Sequence, residues 1–236
     1  MLSLPEVESN LSQIQERIQH SAKQSGRSSN EIQVVAVTKG FPSTIWDNAL
    51  QLSLSCIGES RIQEISSKNS TFFNRNKIEL HLIGRLQSNK ARKALELTDV
   101  IQTVDSLKLA NRLNIIAGEN DKKQRVYLQV NTGMDPKKTG FTSEEVLPTA
   151  EKIAECQHLY LEGVMTIPPY GLSKDKLHNL YAETRKIRNH IQQNIMPGCI
   201  SLSMGMSDDY ETAITEGATH IRLGTALFGP RPPQEC

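Results

Sequence analysis

Leu4, Val7, Leu11, Ile14 and Ile18 recur at spacings of three and four, which predicts an opening amphipathic helix. The turn-forming stretch around Gly26 to Asn30 ends it. Beyond that point the rhythm changes. Short, nearly continuous apolar runs recur: "IQVVAVTK", "LSCIGES", "ELHLIG", "DVIQTVD", "VYLQVN", "YLEGVMTIP", "CISLSMG" and "THIRLGT", eight in all. Most are separated by segments with apolar residues on one helical face. Ile45, Trp46, Ala49 and Leu50 form one such face; Leu177, Leu180, Tyr181, Thr184, Ile187 and Ile191 form the longest. Strands that are apolar throughout and joined by helix-length connections require parallel pairing with both sheet faces covered. The predicted class is therefore α/β. A closed (β/α)8 TIM barrel with an extra N-terminal helix fits the count of eight, and an open doubly wound sheet is the alternative. No linker or low-complexity tract interrupts the pattern, so residues 1–236 read as one barrel domain.

Composition narrows the class of partner. The formal net charge is +1, which gives no electrostatic case for nucleic acid or an anionic membrane. No apolar run approaches the ~18 residues of a membrane span. Met1 is followed by a polar, acidic segment without a signal-peptide pattern, so the expected location is cytoplasmic. Cys56, Cys156, Cys199 and Cys236 form no CxxC pair, and read as inert thiols in a reducing compartment. The six histidines show no metal-ligand spacing; His81 and His220 alternate with apolar strand residues and read as satisfied barrel or helix-layer positions. Lys90, Arg92 and Lys93 give one helix a basic, solvated face. Lys137 and Lys138 fall in the loop after strand five, without a readable role.

In such a barrel the chemistry belongs at the C-terminal ends of the strands. Strand one ends in Lys39 after Val34-Val35-Ala36-Val37. An ammonium leaving an apolar run is partly desolvated, which favours the free amine and suits it to imine formation with an aldehyde. A lysine that has snorkelled to solvent, or one that meets phosphate as a point charge, fits the same position. After strand eight, "RLGTALFG" supplies Gly224 for close backbone approach and Thr225 to open a brief helix from Thr225 to Phe228. Unpaired amides at such a helix start attract an anion. The stretch "SLSMGMSDD" divides into Ile200 and Leu202 for the barrel, Ser203 for phosphate and Gly205 for close approach. Met204 and Met206 provide apolar packing. Ser207 and Asp208 read as a helix start, with Asp208 and Glu211 spaced as a capping box that keeps phosphate away. A lysine facing a phosphate cradle suggests pyridoxal 5′-phosphate (PLP). Arg222 would then meet the pyridine nitrogen, leave it unprotonated and weaken the ring as an electron sink.

The segments "VVAVTKGFP", "IGESRIQE", "HLIGRLQSNK", "LQVNTGMDPKKTGF", "LEGVMTIPP" and "LSMGMSDDYETAITEGATHIRLGTALFG" resemble the pyridoxal phosphate homeostasis protein family (the YggS/PROSC group), in the same order from about residue 30 to 231. The resemblance implies the fold of the alanine racemase N-terminal domain, a fold type III PLP barrel. It implies Lys39 as the imine lysine and Ser203, Gly224 and Thr225 as phosphate contacts. It implies Arg222 at the pyridine nitrogen and Met165 near the cofactor. Two positions depart from the family pattern: Ser60 stands where an asparagine is common, and Arg85 where a proline is.

Racemisation needs acid/base groups on both faces of the substrate carbon. The chain stops about a dozen residues after strand eight and no tyrosine follows Tyr210, so a covering domain with a second base is not expected. The expected function is therefore reversible holding of PLP in intracellular vitamin B6 homeostasis, with effects on amino-acid and keto-acid balance and no turnover. The alternatives are a small one-base amino-acid racemase, or a phosphosugar-binding barrel such as an aldolase. The partners implied are PLP itself and PLP-dependent apo-enzymes or a regulatory protein; the expected state is a monomer.

Overall fold

Each apolar run becomes one strand of a closed parallel barrel. The computed structural model describes residues 2–136 and 138–232. Its strands are β1 (Gln33–Val37), β2 (Cys56–Glu59), β3 (Glu79–Leu82), β4 (Val100–Val104), β5 (Gln124–Val130), β6 (Leu159–Thr166), β7 (Ser201–Met206) and β8 (His220–Leu223). They pair in chain order, and β8 returns to β1 with Val34 opposite Ile221 and Ala36 opposite Leu223. That closure selects the barrel over the open sheet. The helices are α1 (Leu4–Gln24), α2 (Thr44–Gln51), α3 (Ile62–Asn69), α4 (Ala91–Leu97), α5 (Leu107–Glu119), α6 (Ser143–Ala154), α7 (Lys174–Asn194), α8 (Tyr210–Thr215) and α9 (Thr225–Phe228). No helix among the described residues is long and apolar enough to cross a membrane.

The main apolar core lies between the strands and the helices. Ile57, Leu80, Leu82, Ile101, Val126, Leu128, Leu202 and Ile221 join Ile45, Ile65, Leu109, Leu113 and Ile153 in one buried cluster. Burying each such side chain contributes about 1.5–3 kcal/mol. The lumen is different. Glu79, His81, Gln102, Arg125, Ser203 and Arg222 are linked to one another by side-chain hydrogen bonds across it. The usual barrel lumen is filled with branched apolar residues; here much of it is polar. In β7 Ser203 faces the lumen and Leu202 the helices, while Ile200, expected in the barrel, is 55% exposed just outside the strand.

The helix start after β7 also differs from expectation. Glu211 does not close a capping box with Asp208; it pairs with Arg17 of α1 at 2.8 and 2.9 Å. Asp209 is the N-cap of α8, and its Oδ1 accepts the Met206 N–H at 2.6 Å. Ser207 and Asp208 are thereby left in the strand-to-helix connection at the barrel mouth, directly after Met206 at the end of β7. α1 packs against α8 and α9. Asn10 Nδ2 donates to the Leu227 carbonyl at 3.1 Å, so the added helix supports the short one from behind.

Gly205 serves packing. Its φ is +93°, and a Cβ there would lie 2.6 Å from Ala213 Cβ and 3.0 Å from Tyr210 Cα. The close approach is made by α8, and no ligand is needed to explain the glycine. Gly205→Ala combines left-handed strain with overpacking, so a loss of about 2 kcal/mol or more is expected in urea unfolding of the ligand-free protein. An unchanged midpoint would refute this account of Gly205.

Candidate functional site

The C-terminal mouth collects residues from several strand ends. Lys39 leaves β1 at the second position of a tight turn, in which Phe41 N–H donates to the Thr38 carbonyl at 3.2 Å. Burial, reinforced by the charges of Arg231 and Arg222, pushes the Lys39 ammonium below the ordinary lysine range. Glu59 and Glu64 pull it the other way. The outcome favours the free amine.

Arg222 leaves β8 into the lumen with 4% of its surface exposed. Its Nη1 donates to Ser203 Oγ at 2.8 Å and its Nη2 to the Thr166 carbonyl at 2.8 Å. Burial works against its charge, while Tyr181 and Asp209 favour it. Burial raises the Asp209 carboxyl, against the hydrogen bond from Met206 that lowers it.

Lys39, Arg222, Gly224 and Thr225 line one cavity of about 230 Å³ with Val37, Phe41, Ile83, Ile167, Met206, Ser207, Asp208 and Arg231. Gly224 is the N-cap of α9, so the predicted short helix forms and its start faces this space. Ser207 belongs to the same corner: its Oγ accepts the Ala226 N–H at 3.2 Å. A second cavity of about 360 Å³ adjoins on the other side of Lys39, lined by Gly40, Ser60, Arg61, Glu64, Arg231 and Pro232. Ser60 thus stays beside Lys39. Arg85 lies elsewhere, 3.7 Å from Asp105 and largely exposed, in a separate cavity.

Two predicted contacts sit below the mouth. Met165 is fully buried in a lumen cluster with Val100 and Tyr127, against Ile167 of the cavity wall. Ser203 is also fully buried. Having accepted from Arg222, its hydroxyl donates to Gln102 Oε1 at 2.7 Å. The geometry thus makes Ser203 a support of Arg222, outside the lining of the mouth cavity, with its proton and one lone pair engaged.

The same chain continues down the lumen. Gln102 Nε2 donates to His81 Nδ1 at 2.7 Å, which leaves the His81 proton on Nε2, 2.6 Å from Glu79 Oε1. Arg125 Nη1 donates to Glu79 Oε2 at 2.5 Å and pairs with Glu162. Cys56, Glu79 and His81 place potential metal-ligand atoms within 4.8 Å of one another at this base. Both His81 nitrogens already have hydrogen-bond partners, and burial raises the Cys56 thiol. Hydrogen bonding accounts for that cluster. His220 beside it is held down to about 3, mainly by burial.

Sequence reading missed Gln102, Ser207, Arg231 and the α3 side chains behind Lys39. Arg231 stood in the "FGPRPP" tail as a lone charge, and only the fold brings it over the mouth. Lys138 hydrogen-bonds the carbonyls of Ile167 and Pro168 at the rim. Lys137 and Cys236 lie outside the described residues. Lys93 pairs with Glu96 and Arg92 with Glu119, as expected of a solvated face.

These elements define a (β/α)8 barrel whose mouth sets a desolvated amine against a buried guanidinium and a helix start. The chain belongs to the family of the alanine racemase N-terminal domain, whose model matches residues 8–232. It is similar to the pyridoxal phosphate homeostasis protein of Pasteurella multocida, 35% identical over 227 residues that cover 95% of this chain and 97% of that one. The protein of the same name from Synechocystis is 40% identical over 200 residues, 85% of this chain and 92% of that one. PipY of Synechococcus elongatus, solved with PLP bound, superposes with a TM-score of 0.83 at 34% identity, covering 94% of this chain and all of that one (100%).

Ser203→Ala would leave Arg222 Nη1 without its acceptor and Gln102 Oε1 without its donor, both in the lumen. A loss of about 1–3 kcal/mol is expected in urea unfolding without ligand. A variant as stable as wild type would return Ser203 to a purely ligand-binding role.

Proposed function

We propose that this chain holds PLP in the mouth cavity, with Lys39 as its covalent anchor through an imine, and serves PLP homeostasis without catalytic turnover. The observation that carries the reading is the placement of the Lys39 amine, Arg222 and the α9 start around one cavity of about 230 Å³. The residues fit the group. A desolvated amine suits an aldehyde, the Gly224–Thr225 backbone with Ser207 at the same corner suits a phosphate, and Arg231 adds a positive charge on the Lys39 side. The name of the P. multocida and Synechocystis proteins and the PLP bound in PipY support the same assignment.

Bound PLP supplies an aldehyde and an electron-accepting ring. The chain's own contribution is holding. Lys39 offers an amine whose free form burial favours, Gly224 and Thr225 would receive the phosphate, and Met165 closes the floor against Ile167. Arg222, a donor-only group that keeps its proton, would meet the ring without protonating the pyridine nitrogen and so would leave it a weak electron sink. PLP-dependent apo-enzymes or a regulatory protein are the proposed recipients.

A visible absorbance band should appear when PLP is added to purified protein, and borohydride should trap the cofactor on Lys39. Lys39→Ala should abolish both. A colourless wild-type protein would overturn the assignment in favour of the phosphosugar reading. Turnover is tested separately, because the Asp208 carboxylate lines the same cavity and a one-base racemase remains the second reading. L- and D-amino acids in deuterated solvent should show no sustained α-proton exchange with the loaded protein. Enzyme-like exchange rates would sink the non-catalytic part of the proposal.

A further inference from the structure

The turn that carries Lys39 is held from behind by a buried charged cluster. Gly40, its third residue, has φ +77°, the left-handed value that a type II turn requires there. Lys68 of α3, with 4% of its side chain exposed, donates to the Thr38 carbonyl at 2.7 Å. It pairs with Glu59 at 2.6 Å and with Glu64 at 2.9 Å. Glu64 Oε1 accepts the Gly40 N–H at 2.5 Å. On the other side Thr38 Oγ1 donates to Glu59 Oε1 at 2.6 Å, and Trp46 Nε1 donates to Thr38 Oγ1 at 3.1 Å. The carbonyl before Lys39 and the amide after it are thus tied to the same ammonium–carboxylate cluster.

We infer that Glu64, Lys68 and Glu59 are positioning residues for Lys39: they clamp its turn so that the amine leaves β1 in one direction, toward the mouth cavity. The inference rests on Lys39 being the cofactor anchor. Bond formation is sensitive to small misplacements of the reacting atoms, and a four-carbon side chain has no directional preference of its own. Fixing the backbone on both sides supplies that preference. The arrangement is also demanding to maintain, because a buried ammonium is tolerated only when fully paired. Lys68 therefore needs a reason beyond packing, and the two backbone groups it organises give one. The charges that face Lys39 are Arg231, Arg222, Glu59 and Glu64, with Asp208 in the same cavity wall. The cluster carries two carboxylates for one ammonium, which opposes the two guanidiniums.

Glu64 is the member to change, since its side chain is 22% exposed and Lys68 keeps Glu59 as partner. Equilibrium dialysis with PLP measures total binding, borohydride trapping measures the covalent fraction at Lys39, and amide exchange at Gly40 reads the clamp in ligand-free protein. Glu64→Ala should speed Gly40 exchange and lower the rate of covalent trapping about tenfold, with total binding changed much less. Glu64→Gln keeps an acceptor for Gly40 and should restore exchange and trapping together. Wild-type trapping by Glu64→Ala would overturn the clamp and leave the anchor intact. Failure of Glu64→Gln to rescue would overturn it too, by showing that charge alone matters. A wild-type protein that traps nothing at Lys39 would remove the anchor and the clamp together, so the two failures are separable.

Discussion

A guanidinium buried in the lumen of a barrel is the constraint from which most of the interior follows. Arg222 is a donor-only group, so everything it touches must accept. The Thr166 carbonyl takes one bond and Ser203 the other. Once Ser203 has accepted, its own proton has one useful direction, toward Gln102 Oε1. That orients the amide, whose Nε2 faces His81 Nδ1, and fixes the imidazole tautomer with its proton toward Glu79. Arg125 closes the series from the base, donating to the same carboxylate. The direction of every bond is decided by the two guanidiniums at the ends. A lumen of this kind tolerates few single substitutions, because removing one member strands polar groups on both sides of it.

The apolar surfaces are correspondingly displaced outward. With polar residues filling much of the lumen, hydrophobic stabilisation comes mainly from the strand-to-helix interface, where Leu202, Ile221, Leu80 and Leu82 pack. This explains the close approach at Gly205, where α8 has to reach β7. It also gives α1 a structural purpose. Val7 and Leu11 belong to the same core, and Asn10 holds the Leu227 carbonyl, so the helix added before the barrel braces the four-residue helix at the mouth. A helix that short is not stable alone. Its geometry at Gly224 and Thr225 is borrowed from α1.

Legibility in the sequence follows the same division. The eight strands and their order were readable, because apolar runs bounded by turns survive whatever the partners are; the ends were less so, since β7 runs on to Met206, past Ser203. Lys39 and the Thr225–Phe228 helix were readable for the same reason: they sit where local chemistry changes abruptly. The phase of β7 was not. A period of two separates two faces without saying which one is the lumen, and Ile200 with Leu202 could be read only as barrel residues. The hydrogen bond of Ser203 to Gln102 was not readable either, because that partner stands 101 residues away in the chain. Asp208 and Glu211 had capping-box spacing, but a contact from α1 to Glu211 outcompeted it. Lys68 gave no signal at all, since a lysine on a helix reads as solvated until the fold buries it.

The two buried cations near the mouth are satisfied in opposite ways, and the difference bears on function. Lys68 meets two carboxyl groups, Glu59 and Glu64, which oppose its charge within the cluster, although burial raises the Glu59 carboxyl. Arg222 meets a hydroxyl and a carbonyl, neutral acceptors that satisfy hydrogens and leave the charge in place. A cation neutralised locally can organise backbone while exerting little field on its surroundings. A cation held by neutral groups projects its field into whatever space it borders, and Arg222 borders the mouth cavity. Burial of Arg222 would be hard to sustain if its charge had no use. Holding it directly with serine and a carbonyl, with Asp209 acting only through space, leaves that charge facing the mouth cavity.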